Sequence, residues 1–176
     1  MRFTVTADTD IGIAKGTNQD SVLFKHGTYS GGEVLMAVIC DGMGGLTKGE
    51  LASATVIRAF LDWYNKELPY ELENLDLNVI GGKWSLMLKD LNVKIIEYAK
   101  KNNITMGTTF TGVLFVGDEY VTVHVGDTRL YHIGNKLEQL TCDQTFIARE
   151  IRKGTMTAEQ AKTDKRRNLL LQCVGA

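Results

Sequence analysis

The segment Val34–Cys40 is an unbroken run of seven apolar residues, and it ends abruptly on the carboxylate of Asp41. Asp41-Gly42-Met43-Gly44-Gly45 follows, with three glycines in the four residues after Asp41, and then a helix pattern begins. A short apolar run rich in branched residues and closed by turn residues reads as a buried strand. Such a strand delivers one carboxylate to an open sheet end. Glycine has no Cβ, so the backbone after Asp41 can bend sharply and approach an ion or a phosphate. A carboxylate oxygen beside a bare carbonyl suits a hard divalent cation such as Mg²⁺ or Mn²⁺. Asp-Gly is also an ordinary turn dipeptide, so the segment by itself supports both a turn and a ligand loop.

The periodicities around this run predict the order of elements. Phe3, Val5 and Ala7 alternate with polar residues and predict a half-buried first strand. Ser21 to Lys25 predicts a second strand, Gly27 to Gly32 a turn, and Glu33 to Cys40 a buried third strand. Thr47 and Glu50 have the spacing of a capping box, opening a helix that runs to about Leu68 and is ended by Pro69. Gly81-Gly82 precedes a second amphipathic helix closed by Asn102-Asn103. From Thr108 the period becomes two. Thr109 to Val116, Tyr120 to Val125, Arg129 to Ile133 and Lys136 to Leu140 read as strands, with hairpin turns at Gly117-Asp118 and Gly134-Asn135. Thr145 to Lys153 reads as a short helix ended by Gly154, and Thr157 caps a further turn, Ala158 to Lys162. Strands, two helices and more strands make an α+β pattern with antiparallel pairing rather than alternating βαβ units.

Composition removes several function classes. At 176 residues the chain predicts one domain, residues 1–176. A formal net charge of -1 gives no support for a nucleic-acid or membrane-surface partner. The basic cluster Lys162, Lys165, Arg166 and Arg167 reads as a solvated face. Cys40, Cys142 and Cys173 are scattered, form no CxxC pair and fit a reducing cytoplasm. No apolar stretch reaches membrane-spanning length, and the N-terminus runs straight into strand-like alternation rather than a signal sequence.

Three polar places stand beside Asp41. Asn18-Gln19-Asp20 lies between two predicted strands and alone reads as an Asx turn. Val125-Gly126-Asp127-Thr128-Arg129 repeats the pattern of a valine-rich strand ending on Gly-Asp, and alone reads as a hairpin turn. Thr141-Cys142-Asp143-Gln144 alone reads as a helix cap by Asp143. Asp20, Asp41 and Asp127 each fall at a predicted strand end. Carboxylates gathered there repel one another unless cations neutralise them. A cluster rich in carboxylate and free of histidine points to Mg²⁺ or Mn²⁺ rather than zinc. Such ions bind phosphate and activate water for attack on phosphorus.

Taken in order, Thr9-Asp10-Ile11-Gly12, Asn18-Gln19-Asp20-Ser21, Asp41-Gly42-Met43-Gly44-Gly45, Gly49-Glu50-Leu51-Ala52-Ser53, Gly107-Thr108-Thr109, Val125-Gly126-Asp127-Thr128-Arg129 and Leu140-Thr141-Cys142-Asp143 resemble the motifs of the metal-dependent protein serine/threonine phosphatases, the type 2C or PPM family, in compact bacterial form. The resemblance implies a β-sandwich of two antiparallel sheets flanked by helices. It implies hydrolysis of phosphoserine and phosphothreonine in proteins by a cytoplasmic, monomeric enzyme that opposes a serine/threonine kinase. Asp41 then corresponds to the aspartate bridging two catalytic Mn²⁺ or Mg²⁺ ions, and the Gly42 carbonyl to a backbone ligand. Asp20 corresponds to a catalytic acidic residue that holds metal through water, and Asp127 to the ligand of a third, weaker ion. Lys15 stands where the family carries a phosphate-gripping arginine. Lysine keeps the charge and loses the bidentate fork. Gln144 stands where a histidine is common, and His26, His124 and His132 are not placed as general acids. The resemblance further implies two more aspartate ligands from a segment beyond Ala176, so impaired turnover is expected of these 176 residues. Lys15 and those missing ligands open an alternative, a non-catalytic pseudophosphatase that binds a phosphoprotein or a regulatory partner.

Overall fold

A computed structural model describes residues 2–13, 16–43 and 48–175. Strands β1 (Ser21–Tyr29) and β2 (Gly32–Cys40) form an antiparallel hairpin. Strands β3 (Phe110–Val116) and β4 (Glu119–Val125) form a second hairpin, and β3 pairs with β2. The result is a four-stranded antiparallel sheet in the order β1-β2-β3-β4. Helix α1 (Gly49–Lys66), the short α2 (Leu68–Glu71), a 3₁₀ turn (Leu72–Asn74) and the long α3 (Leu77–Asn102) connect the two hairpins. After β4 come a second antiparallel sheet, β5 (Tyr131–Ile133) with β6 (Leu137–Gln139), and helices α4 (Phe146–Arg152) and α5 (Ala158–Thr163). The α+β class, with antiparallel sheets flanked by helices, is the one the sequence predicts.

The core lies between one face of the large sheet and the helices. Val34, Met36, Val38 and Cys40 of β2 alternate onto that face and join Phe110 and Leu114 of β3. Against them pack Phe60 and Trp63 of α1 and Trp84 of α3. The Phe60 ring is 5.1 Å from Trp84 and 4.4 Å from Phe110, and Trp63 is 5.3 Å from Trp84. Each buried large side chain contributes about 1.5–3 kcal/mol, so this cluster fixes how the helices sit on the sheet.

Several expectations need correction. Phe3 to Ala7 carries no ladder, because a strand needs a paired neighbour and none runs beside it among the described residues. Phe3 instead rests its ring against His26 and Phe115 while its N–H donates to Glu33 Oε2. The first turn is tighter than predicted: β1 continues to Tyr29, and Ser30-Gly31 alone reverse the chain. Helix α1 ends at Lys66, and Pro69 sits in the first turn of α2, where its missing N–H costs nothing. Gly81-Gly82 lies inside α3 rather than before it. Asp76 starts that helix by accepting at Oδ1 from the N–H groups of Asn78 and Val79. Asn103 closes it in the left-handed conformation, as the sequence predicts. Thr47 lies outside the described residues, and Glu50 pairs with Gln19 and Lys48.

Candidate functional site

Register alone brings the three aspartates to one end of the large sheet. Ser21 pairs with Cys40, so Asp20, just before β1, and Asp41, just after β2, lie side by side. Ile39 pairs with Thr111 and Phe110 with Val125, which places Thr109 beyond Asp41 and Gly126-Asp127 beyond Thr109. Lys15, Gly44 and Gly45 lie outside the described residues.

The backbone of Asp41 is held on every polar atom. Its N–H donates to Thr109 Oγ1 at 2.9 Å, and its carbonyl accepts from Thr109 N–H at 2.9 Å and from Thr108 Oγ1 at 3.0 Å. The N–H groups of Gly42 and Met43 donate to the carbonyls of Gln19 and Gly107. Gly42 is buried in a cradle of backbone. A Cβ there would collide with the Gln19 carbonyl and stand 2.6 Å from the Gly49 carbonyl oxygen. Only glycine lets the loop pass so close.

Asp20 is exposed and its N–H donates to Asn18 Oδ1, so the Asx turn read from sequence is present. Gln19 ties that turn to α1, since its carbonyl also accepts from Ser53 Oγ at 2.7 Å.

Asp127 is half-buried. Burial, with the nearby charge of Asp143, pushes its carboxyl above the ordinary aspartate range. The preceding Gly126 has φ +116°, and a Cβ there would stand 2.6 Å from Thr109 Cγ2. Gln144 pins this turn: its Oε1 accepts from Gly126 N–H, and its own N–H donates to the Gly126 carbonyl, both at 2.8 Å. Asp143 does not cap a helix. Thr145 caps α4, and Asp143 accepts from Arg129 at 2.9 Å (Nε to Oδ1) and 2.6 Å (Nη2 to Oδ2). Those bonds hold the Asp143 carboxyl below its usual range.

The donors on offer are hard. Asp20, Asp41 and Asp127 contribute carboxylates and Gly42 a carbonyl. The thiol next to Asp41 in sequence, Cys40, is buried and pushed up to about 12, so it supplies no thiolate. This donor set fits Mg²⁺ or Mn²⁺ better than zinc. A cation beside Asp127 would offset the burial and the Asp143 charge that raise its carboxyl. Among the described residues, no three Asp, Glu, His or Cys side chains stand together closely enough to hold an ion unaided.

The residues that sequence reasoning left without a role are Thr109, Thr111 and Thr128, whose hydroxyls join one another between the Asp41 and Asp127 turns. The available signal was the period-two pair Thr109 and Thr111, where β3 begins, together with the threonine after Gly-Asp.

A family model described as protein phosphatase 2C matches residues 13–170. The serine/threonine protein phosphatase PstP of Mycobacterium tuberculosis is 32% identical over 170 residues, covering 96% of this chain and 30% of PstP. Among solved structures, serine/threonine phosphatase Stp1 from Staphylococcus aureus superposes with a TM-score of 0.76 at 30% identity, over 96% of this chain and 64% of that one. The catalytic domain of PstP in complex with two manganese ions gives a TM-score of 0.69 at 30% identity, over 96% and 65%. The chain thus spans less than a third of the curated PstP and about two thirds of the solved chains.

Proposed function

This chain belongs to the protein phosphatase 2C family, and on that premise we propose that it hydrolyses phosphoserine and phosphothreonine in proteins with the help of Mn²⁺ or Mg²⁺. The observation that carries the reading is the register that brings Asp20, Asp41 and Asp127 to one sheet end. Asp41 and the Gly42 carbonyl hold metal at the centre, Asp20 orients water there, and Asp127 holds a further cation. Lys15 supplies positive charge to the phosphate. Divalent ions bound at this end supply a water of lowered pKa and offset the charge of the phosphoryl group. The bonds on the Asp41 backbone keep its carboxylate oriented before substrate arrives, which is where positioning lowers a barrier. The manganese in the PstP structure supports this choice of ion.

We take residues 1–176 as part of a single phosphatase-like domain acting as a monomer on substrates of a serine/threonine kinase. Among the described residues no helix is long and apolar enough to cross a membrane, and all three cysteines are free, which supports a reducing, cytoplasmic setting.

The test is release of phosphate from a phosphothreonine peptide with and without Mn²⁺, in the wild type and in Asp41→Asn. The expected result is Mn²⁺-dependent release that falls by at least about 100-fold in Asp41→Asn. Release that ignores chelator, or that survives in Asp41→Asn, overturns the assignment. The substitution of lysine for arginine at position 15 favours a second reading, a pseudophosphatase. Tight phosphopeptide and Mn²⁺ binding with no release, both in these 176 residues and in a version extended by the two further aspartate ligands, would select it.

A further inference from the structure

We propose that Thr109 is a positioning residue, the end point of a directed chain of hydrogen bonds from His124 through Thr111 and Thr128 that locks the Asp41 turn to the Asp127 turn. This rests on reading that sheet end as the metal-dependent phosphatase site.

Thr109 is buried and touches both turns at once. Its Oγ1 accepts from the Asp41 N–H at 2.9 Å, and its methyl group lies against Gly126, where no Cβ would fit. Thr109 Oγ1 also lies 3.2 Å from Thr128 Oγ1, which is 2.8 Å from Thr111 Oγ1, which in turn is 2.9 Å from His124 Nδ1.

Proton counting orients the chain. A hydroxyl has one proton and two acceptor lone pairs. Thr128 gives its proton to Thr109. At the Thr111–Thr128 contact Thr111 must therefore be the donor, sharing its proton with the Thr128 carbonyl at 3.1 Å. That leaves Thr111 with only lone pairs for His124, so Nδ1 of His124 must carry a hydrogen. His124 then carries its hydrogen on Nδ1 and leaves Nε2 bare. That agrees with its surroundings: Nε2 is buried and has no hydrogen-bond partner. An unpartnered lone pair is tolerated in such a place better than an unpartnered N–H. Bonds aligned in one sense reinforce one another away from water. Removing the Thr109 hydroxyl would leave the Asp41 N–H without its acceptor and cut the tie between the two turns.

The experiment uses the 176-residue chain with Thr109→Val, which deletes the hydroxyl at nearly constant shape, and Thr109→Ser, which keeps it. Mn²⁺ affinity is read by titration calorimetry, folding by urea titration, and the His124 tautomer by ¹⁵N NMR of the imidazole. Expected are a loss of about tenfold in Mn²⁺ affinity for folded Thr109→Val, recovery in Thr109→Ser to within about twofold, and a protonated Nδ1 with a bare Nε2. If Thr109→Val does not fold, Thr128→Val cuts the chain one link earlier and is expected to weaken Mn²⁺ binding in the same direction. Equal Mn²⁺ affinity in wild type and the folded valine variant overturns the positioning role, as does Thr109→Ser binding as weakly as Thr109→Val. An Nε2–H tautomer overturns the directed chain. A wild type that binds no Mn²⁺ overturns the metal-site reading itself, and the positioning role with it, which separates the two failures.

Discussion

Two aspartates near the same turn are driven in opposite directions by their neighbours. The bonds from Arg129 lower the Asp143 carboxyl, whereas burial and the Asp143 charge raise that of Asp127. A carboxyl lowered by folding stabilises the protein above its unfolded pKa, and that contribution is lost as pH falls through the folded value. Asp143→Asn should therefore destabilise at pH 6 to 7, and the difference from the wild type should shrink as pH falls below the ordinary aspartate range and through the lowered folded value. The fork of Arg129 is half-exposed, so screening limits the loss to about 1 kcal/mol. Relief of the repulsion on Asp127 offsets part of it, but a bidentate contact outweighs a through-space one. Urea titrations of both proteins at pH 7 and pH 3 check this, and a difference that persists unchanged at pH 3 contradicts it. At this scale the sequence was legible for what a residue offers and not for what it meets. Asp143 sits just before a helix and so reads as a cap. Its true partner, Arg129, lies fourteen positions away, beyond the reach of any local pattern.

Helix α3 shows the same limit for elements. Glycine in a helix costs about 1 kcal/mol relative to alanine, so a Gly-Gly pair reads as a boundary. The Asp76 cap and the buried side chains of Ile80 and Trp84 override that preference and carry the helix through both glycines. The two glycines differ in surroundings. A Cβ on Gly82 would meet nothing within 4 Å, whereas one on Gly81 would lie 2.9 Å from Val121 Cγ2 on β4. Gly82→Ala should stabilise the protein by about 0.5–1 kcal/mol, and Gly81→Ala should gain less or lose, since the helix must lift from the sheet. Denaturation midpoints of the pair decide it; equal gains would mean that α3 does not pack on β4 as closely as described. The strand expected at Phe3 to Ala7 failed for the complementary reason. Alternation states that a segment could pair, and only a neighbour makes it pair. The cap at Thr157 and the hairpins at Gly117-Asp118 and Gly134-Asn135 were legible because their partners are a few residues away.

For the whole molecule, the apolar run Val34–Cys40 marked a strand buried on both faces, and the faces prove unequal. Val38 is 0% exposed beneath α1 and α3, while its neighbour Ile39 is 41% exposed on the opposite face. The helices therefore supply the core, and the far face of the sheet carries a half-covered apolar surface with Val22, Phe24 and Ala37 only partly buried beside Ile39. A run of like residues cannot announce this difference, because strand periodicity is visible only where polar and apolar residues alternate. The sheet end that gathers Asp20, Asp41 and Asp127 depends on the packed face, since the helices fix β2 and through it the register of its neighbours. Threonine substitution distinguishes the faces. Val38→Thr keeps the shape and buries a hydroxyl in the apolar core cluster, which costs about 2–3 kcal/mol when no partner is in reach. Ile39→Thr places the same hydroxyl where water can reach it and gives up only part of a side chain's burial, so it should cost less than about 1 kcal/mol. Urea titration of the two single variants measures both costs, with the Mn²⁺ response as a check that the sheet end survives. Comparable losses would mean that Ile39 is covered in solution, and the far face would then have to be counted as core.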